Sequence, residues 1–290
     1  MLEQQKAQVQ RAMLPKNTRV IAVTSGKGGV GKTNIAVNLA VAHAADGEDV
    51  MLLDADLGLA NVDVLLGLQP RFNLSHVVSG DADIDCTVVH GPCGVRVVPA
   101  TSGQTSMLDL PSRSRATIIQ AFADVAQQPD ILIVDTAAGL SDAVARFTQA
   151  AQHTIVVVCD EPSSITDAYA LIKVFSREYG MSHFHIVTNK TRDAADGRQL
   201  YLKLHRVADQ FLDVVLRHVG NIPQDGYLKR AVQEQRAVVD AYPNSWSAKA
   251  FRQLAGATGR LPTAAGASGG VEFFLERVLA NGAGSSSEAS

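Results

Sequence analysis

In the stretch TSGKGGVGKTN, Gly26, Gly31, Lys32 and Thr33 stand at the spacing G-x-x-x-x-G-K-[ST]. That spacing suits the handling of an anionic phosphate chain. Gly26, Gly28, Gly29 and Gly31, with Val30 among them, let backbone N–H groups converge on an anion, and a helix beginning near Asn34 adds its positive dipole end. Lys32 brings charge to the outer phosphates, and the Thr33 hydroxyl is a ligand for Mg²⁺. A second lysine, Lys27, follows the first glycine directly. One lysine is enough to grip a phosphate, so the second requires an explanation.

Two more strings end in acids. MLLDADLGLANVD places Asp54 and Asp56 after an apolar run, and ILIVDTAAGLSD places Asp135 after another. A carboxylate at the end of a strand beside a phosphate loop holds Mg²⁺ directly or through water, which makes Asp54 and Asp135 the metal candidates. The competing role is a turn or helix-cap aspartate, common at strand ends. Asp56 suits a different task. Phosphoryl transfer to water has a loose transition state and needs an aligned water more than a strong base. Asp56 is read as orienting that water, with Asn61 assisting by hydrogen bonding. Gly58 and the TAAGLSD stretch supply the mobile backbone that nucleotide-sensing switches require.

These residues need a scaffold that brings strand ends together. RVIAVTS, DVMLLDAD, GVRVVPA, DILIVDTA, HTIVVVCD, HFHIVTN and LRHVGNIP read as strands, several of them continuous apolar runs. Helical patterns such as TNIAVNLAVAHAAD, SRATIIQAFADVAQ, ITDAYALIKVFSREYG and GRQLYLKLHRVADQFLDVV separate most of them. The alternation predicts an α/β fold with a mostly parallel sheet and helices on both faces. Ligands then sit at the carboxyl ends of the strands. The composition shifts near Gly256, where GATGRLPTAAGASGG reads as a flexible linker. The expected organisation is an N-terminal segment at 1–18, a nucleotide-binding domain at 19–255, a linker at 256–270 and a tail at 271–290.

Composition narrows the class. A chain of 290 residues can bury a full core, and its net charge of −3 argues against a general nucleic-acid surface. Three cysteines, Cys86, Cys93 and Cys159, form no pairwise framework, which suits a reducing cytosol. No stretch reads as a secretory signal or a membrane span, so a cytoplasmic protein is expected. Cys86 and Cys93 are too far apart for a standard zinc pair. His183 and His185 alternate on a strand without further ligands, and both features are read as structural.

With its early lysine, KGGVGKT resembles the deviant Walker A loop of the MinD/ParA family of P-loop ATPases. LLDADLGLANVDVLLGL, VVCDEPSSITDAYALIK, NIPQD and AVQEQRAVVDAYPNS look like one branch of it, the flagellar-number regulators of the FlhG (FleN) type. The likeness runs from about Arg19 to Leu254. It implies a Mg²⁺-dependent ATPase whose two subunits close face to face around two ATP molecules. Lys27 then reaches into the partner's site like an arginine finger, a contribution typically on the order of 10³–10⁵ in rate. Position agrees with this: Lys32 already serves its own nucleotide, so Lys27 needs a phosphate from elsewhere. By the same resemblance Asn189 binds the adenine edge, Pro223 and Asp225 flank the base, Glu161 contacts the partner's nucleotide, and Asp167 lies at the dimer face. The implied partners are the GTPase FlhF and a flagellar transcription regulator or switch components. The segment with which such proteins stimulate FlhF corresponds here to EQQKAQVQRAML, which lacks the leucine–arginine ending in register and leaves FlhF activation open.

In the tail, VEFFLERVLANG sets Val271, Phe274, Leu275 and Val278 on one helical face, widened by Phe273 and Leu279. The resemblance implies a membrane-targeting helix, peripheral on the inner face of the cell membrane when ATP is bound. Glu272, Glu276 and Arg277 do not sum to a positive charge, so the apolar residues must carry the binding. The alternatives are docking on a partner protein and packing of the helix on its own domain, the latter disfavoured by its place after a linker. Other readings of the whole chain are a division-site MinD, a cargo-positioning ParA, and a regulatory module that holds nucleotide without turning it over. A redox role like that of the nitrogenase iron protein is disfavoured, because the cysteines do not sit in its ligand motifs.

Overall fold

The computed structural model describes residues 18–56, 61–99, 111–125, 127–262 and 270–280. Seven of its strands form where apolar runs were read: β1 (Arg19–Ser25), β2 (Val50–Ala55), β4 (Arg96–Val98), β5 (Ile131–Ala138), β6 (His153–Cys159), β7 (His183–Thr191) and β8 (Val215–Pro223). β3 (Val89–His90) carried no sequence signal, being too short to show a period. Among the described residues the sheet order is β3-β4-β2-β5-β1-β6-β7-β8, parallel throughout except for the β3/β4 pair. This is the expected α/β architecture.

Both sheet faces are covered, which is why the strands are apolar throughout. Ile21, Val23, Leu52, Ile133 and Val157 pack under α1 (Lys32–Ala45), α10 (Val238–Ala241) and α11 (Trp246–Gly259). On the opposite face, Val20, Leu53, Leu132 and Val134 lie under α5 (Ser112–Ala123) and α6 (Asp142–Ala150). Val156, Val158 and Ile186 on that face meet α7 (Pro162–Tyr179) and α8 (Ala194–Phe211). The shorter α2 (Val62–Leu66), α3 (Leu74–Ser79) and α4 (Ile84–Thr87) follow β2, and α9 (Gly226–Gln233) follows β8.

Two expectations are corrected here. The TAAGLSD stretch is not all loop. β5 continues to Ala138, pairing with Ser25 across an irregularity between Val23 and Ser25, and the buried Thr136 hydroxyl donates to the Val23 carbonyl at 3.1 Å. α11 also continues to Gly259, past the composition shift at Gly256, with Leu261 buried just beyond. Residues 1–17 of the N-terminal segment, Gly58, 263–269 of the linker and 281–290 of the tail lie outside the described residues.

The tail helix α12 (Val271–Ala280) is docked on its own domain, against the expectation from its position. Val271, Phe274, Leu275, Val278 and Leu279 are buried among Ile118, Phe122, Phe147 and Ala150, while Phe273 stays 41% exposed. The Phe274 and Phe147 rings lie 6.4 Å apart, the Arg115 guanidinium donates to the Leu279 carbonyl at 3.0 Å, and the Val271 N–H donates to Gln128 Oε1 at 3.0 Å. Each buried aliphatic or aromatic side chain contributes about 1.5–3 kcal/mol. Ordering the helix costs about 1–2 kcal/mol per residue, which offsets much of that gain. Phe274→Ala, which removes about 3–5 kcal/mol from a packed site, is therefore expected to release α12 rather than unfold the domain. Hydrogen exchange should rise across 271–280 and stay slow in β1, β5 and β6. Unchanged protection of 271–280 would contradict the docking.

Candidate nucleotide site

The strand ends converge as the parallel sheet requires. In register, Asp54 stands beside Asp135, Val23 beside Asp135, and Cys159 beside Asn189. The phosphate loop leaves β1 and turns into α1 at Gly31, whose φ of 95° favours glycine. A Cβ on Gly31 would also collide with the Asn189 amide, and one on Gly26 would collide with the Asp167 backbone of α7. Gly31 is thus demanded by the turn, and Gly26 by the close approach of the Asp167 backbone.

At the centre Lys32 Nζ meets Asp135 Oδ1 at 2.7 Å, with exposures of 7% and 0%. Thr33, next along α1, lies near the same carboxylate. Burial pushes the Asp135 carboxyl up, and Lys32 and then Thr33 oppose that shift. Asp135 Oδ2 is buried without a partner. An open carboxylate oxygen beside a threonine hydroxyl is the oxygen-only donor set that suits Mg²⁺. Thr33 and Asp135 therefore fit the metal expected of them.

Asp54 is arranged differently. Its Oδ1 accepts from the Asp56 N–H at 3.1 Å, and its Oδ2 accepts from the N–H groups of Asn61 at 3.0 Å and Val62 at 3.2 Å. Burial, and next the neighbouring Asp135 charge, push its pKa up to about 6 against the pull of those three donors. Asp56 and Asn61 thus come together around Asp54, one on each side of residues 57–60.

The two lysines separate. Lys27 Nζ lies at the rim, 2.8 Å from Glu161 Oε2 and 2.8 Å from Ser163 Oγ of the same chain. The bond to Glu161 holds the lysine pKa up and the glutamate pKa down. Ser163 has no role in the sequence reading, although it lies in the EPSS stretch, next to Pro162.

The base side is a cleft of about 480 Å³ lined by Gly31, Asn34, Asn189, Pro223, Asp225 and Leu228 among others. Asn189 Nδ2 donates to the Val30 carbonyl at 2.8 Å. Because a carbonyl accepts only, the amide nitrogen must face it and the side-chain oxygen is left to accept. Asn34 Oδ1 is buried without a partner. Asp225 lines the cleft, but its carboxylate is occupied, capping α9 at the Tyr227 N–H and holding the Ser247 N–H and hydroxyl, each at 2.9 Å. Lys190, absent from the sequence reading, bonds the Gly29 carbonyl at 2.7 Å from a backbone φ of 58°. Its place directly after Asn189 at a strand end was the available signal.

The comparisons agree with this geometry. The ParA family profile, described as NUBPL iron-transfer P-loop NTPase, matches residues 16–258. The antiactivator FleN of Pseudomonas aeruginosa is 52% identical over 90% of this chain and 93% of its own. The flagellum site-determining protein YlxH of Helicobacter pylori is 35% identical over 83% of this chain and 81% of its own. Among solved structures, the cell division ATPase MinD of Pyrococcus furiosus superposes with a TM-score of 0.67 at 26% identity, covering 84% of this chain and 99% of that one. On its phosphate loop, its sheet order and these matches, the chain belongs to the ParA/MinD family of P-loop NTPases.

Proposed function

We propose that this chain is an ATP-dependent dimerising switch with slow Mg²⁺-dependent hydrolysis, acting in the control of flagellar number and placement. The observation that carries the enzymatic part is the buried Lys32–Asp135 pair with an open Asp135 Oδ2 behind the phosphate loop. The flagellar part rests on the likeness to FleN and YlxH.

The residues divide the work. Lys32 exchanges its carboxylate for the outer phosphates of ATP. Thr33 and Asp135 hold Mg²⁺, which supplies charge neutralisation at the phosphates when bound. Gly26, Gly28, Gly29, Val30 and Gly31 present backbone N–H groups, and Asn34 faces the inner part of the chain. The Asn189 oxygen accepts from the adenine amino group, whereas guanine would present an oxygen there, and Pro223 borders the base. Asp56 orients the attacking water, with Asn61 beside it. Lys27 leaves Glu161 and Ser163 when two subunits close and serves the partner's phosphates, while Glu161 turns to the partner's nucleotide.

The tail joins this cycle through release. In the docked state the apolar face of α12 is covered, so contact with a membrane surface requires undocking. Phe273, Phe274, Leu275 and Val278 then enter the interface, and a dimer presents two such helices at high effective concentration.

Two measurements test the reading. Lys32→Ala is expected to lose ATP binding, whereas Lys27→Ala keeps it and loses turnover or dimer closure. Asp56→Ala should bind ATP, stall, and run as a persistent dimer in size exclusion. A Lys27→Ala protein with unaltered turnover, or ATP held through single-turnover conditions by the unmodified protein, would refute the enzymatic scheme.

For the tail, vesicle flotation should be strong with ATP and weak with ADP, and Phe274→Asp should abolish it without changing ATP affinity. Because Glu272, Glu276 and Arg277 carry no net positive charge, raising the salt should weaken flotation only modestly. Equal flotation in both nucleotides would remove the switch, and none in either would remove the membrane.

A further inference from the structure

Asp54, next to last in β2, and Asp135, inside β5, stand side by side in register, yet their carboxylates are used in different ways. Asp135 keeps Oδ2 without a partner. Asp54, only 2% exposed, has both oxygens engaged by backbone N–H groups, one on Oδ1 and two on Oδ2. A carboxylate oxygen has room for about two such bonds. Among the described residues Oδ2 is therefore filled and Oδ1 is half engaged, whereas Asp135 keeps a whole oxygen open.

Those bonds are informative by where they fall in the chain. The donors are Asp56 on one side and Asn61 and Val62 on the other, so a single buried carboxylate ties together both ends of residues 57–60. Bonds from N–H groups to an ionised acceptor are about twice as strong as neutral ones, which is what holds a carboxylate out of water. The far side is also fixed. Val62 and Leu66 of α2 are in the core, and Gln235 Nε2 donates to the Val64 carbonyl at 3.0 Å. Asp56 and Asn61 are thereby placed relative to β2 and β5, the strands that also carry Asp135.

We infer that Asp54 is a positioning residue for hydrolysis rather than a metal ligand. It sets where Asp56 and Asn61 stand toward the terminal phosphate. This rests on the ATPase reading above and departs from the metal role its place at a strand end suggests. Asp54→Ala removes all three acceptor bonds. Asp54→Asn keeps one oxygen for Asn61 and Val62 but turns an NH₂ group toward the Asp56 N–H, where two donors face each other, so its effect should be intermediate.

The test is steady-state ATP turnover by the full chain, varied in both ATP and Mg²⁺, for the unmodified protein and both variants. Amide exchange at Asp56, Asn61 and Val62 is followed by NMR in the ADP state. A misplacement of about 1 Å can cost about 10²-fold in rate. We expect kcat to fall by about that factor in Asp54→Ala and by less in Asp54→Asn. KM for ATP and the half-saturating Mg²⁺ should stay within about twofold, as for an interaction felt only in the transition state. Exchange should quicken at those three amides and not in the phosphate loop. A large rise in half-saturating Mg²⁺, with kcat recovered at high Mg²⁺, would make Asp54 a ligand and overturn the inference. So would full turnover in Asp54→Ala, or exchange quickened equally through the phosphate loop. Absence of turnover in the unmodified protein would instead overturn the ATPase reading, leaving the exchange pattern to decide whether Asp54 anchors the two ends.

Discussion

The buried pair between Lys32 and Asp135 is the constraint around which the site is arranged. Bringing an ammonium and a carboxylate out of water costs several kcal/mol per ion, and the attraction between them repays this only in good geometry. The geometry here is a 2.7 Å contact between the first residue of α1 and Asp135 inside β5. Removing either partner would strand the other charge, at about 3–5 kcal/mol. Such a pair is poor value as simple stabilisation. It keeps the lysine extended along the phosphate loop, so that in the proposed cycle an arriving phosphate displaces one acceptor.

Around that pair the polar groups sort by what already occupies them. Asp135 has an open oxygen, Asp54 is held by three backbone donors, Asp225 is engaged by a helix cap and Ser247, and Asn189 turns its nitrogen to Val30. Four residues of similar type therefore have different chemistry available to them. Identity at a strand end does not decide function. The unspent hydrogen-bonding capacity does.

This explains what could be read in the sequence. The sheet was legible because buried parallel strands must be apolar throughout, and the phosphate loop because it needs glycines and a lysine at fixed spacing. The divergence of Asp54 from Asp135 was not legible, since it depends on N–H groups several residues further along the chain. Ser163 and Lys190 were missed for a related reason: their partners, Lys27 and Gly29, are distant in sequence and meet only once β1, β6 and β7 are paired. The tail failed differently. Its helical period was read correctly, but a period reports an apolar face and not what covers it. The covering surface is Phe122 and Phe147, on helices that precede it by well over a hundred residues.

That covering surface also limits how ATP and the tail can communicate. α12 packs near the start of β1, against Val20, whereas the phosphate loop leaves the end of β1. A central strand buried on both faces is a poor lever, because packed cores do not deform continuously. A contiguous route runs through β5 and α6. β5 carries Asp135 and turns at Gly139, Ser141 caps α6, and α6 brings Phe147 and Ala150 against Phe274. Ligand at Asp135 can bias that route only by the difference in its affinity for the docked and released states. Full inversion from 1:99 to 99:1 requires about 5.5 kcal/mol of such difference. For the proposed switch, the difference needed shrinks as the docked and released states of α12 come closer to balance.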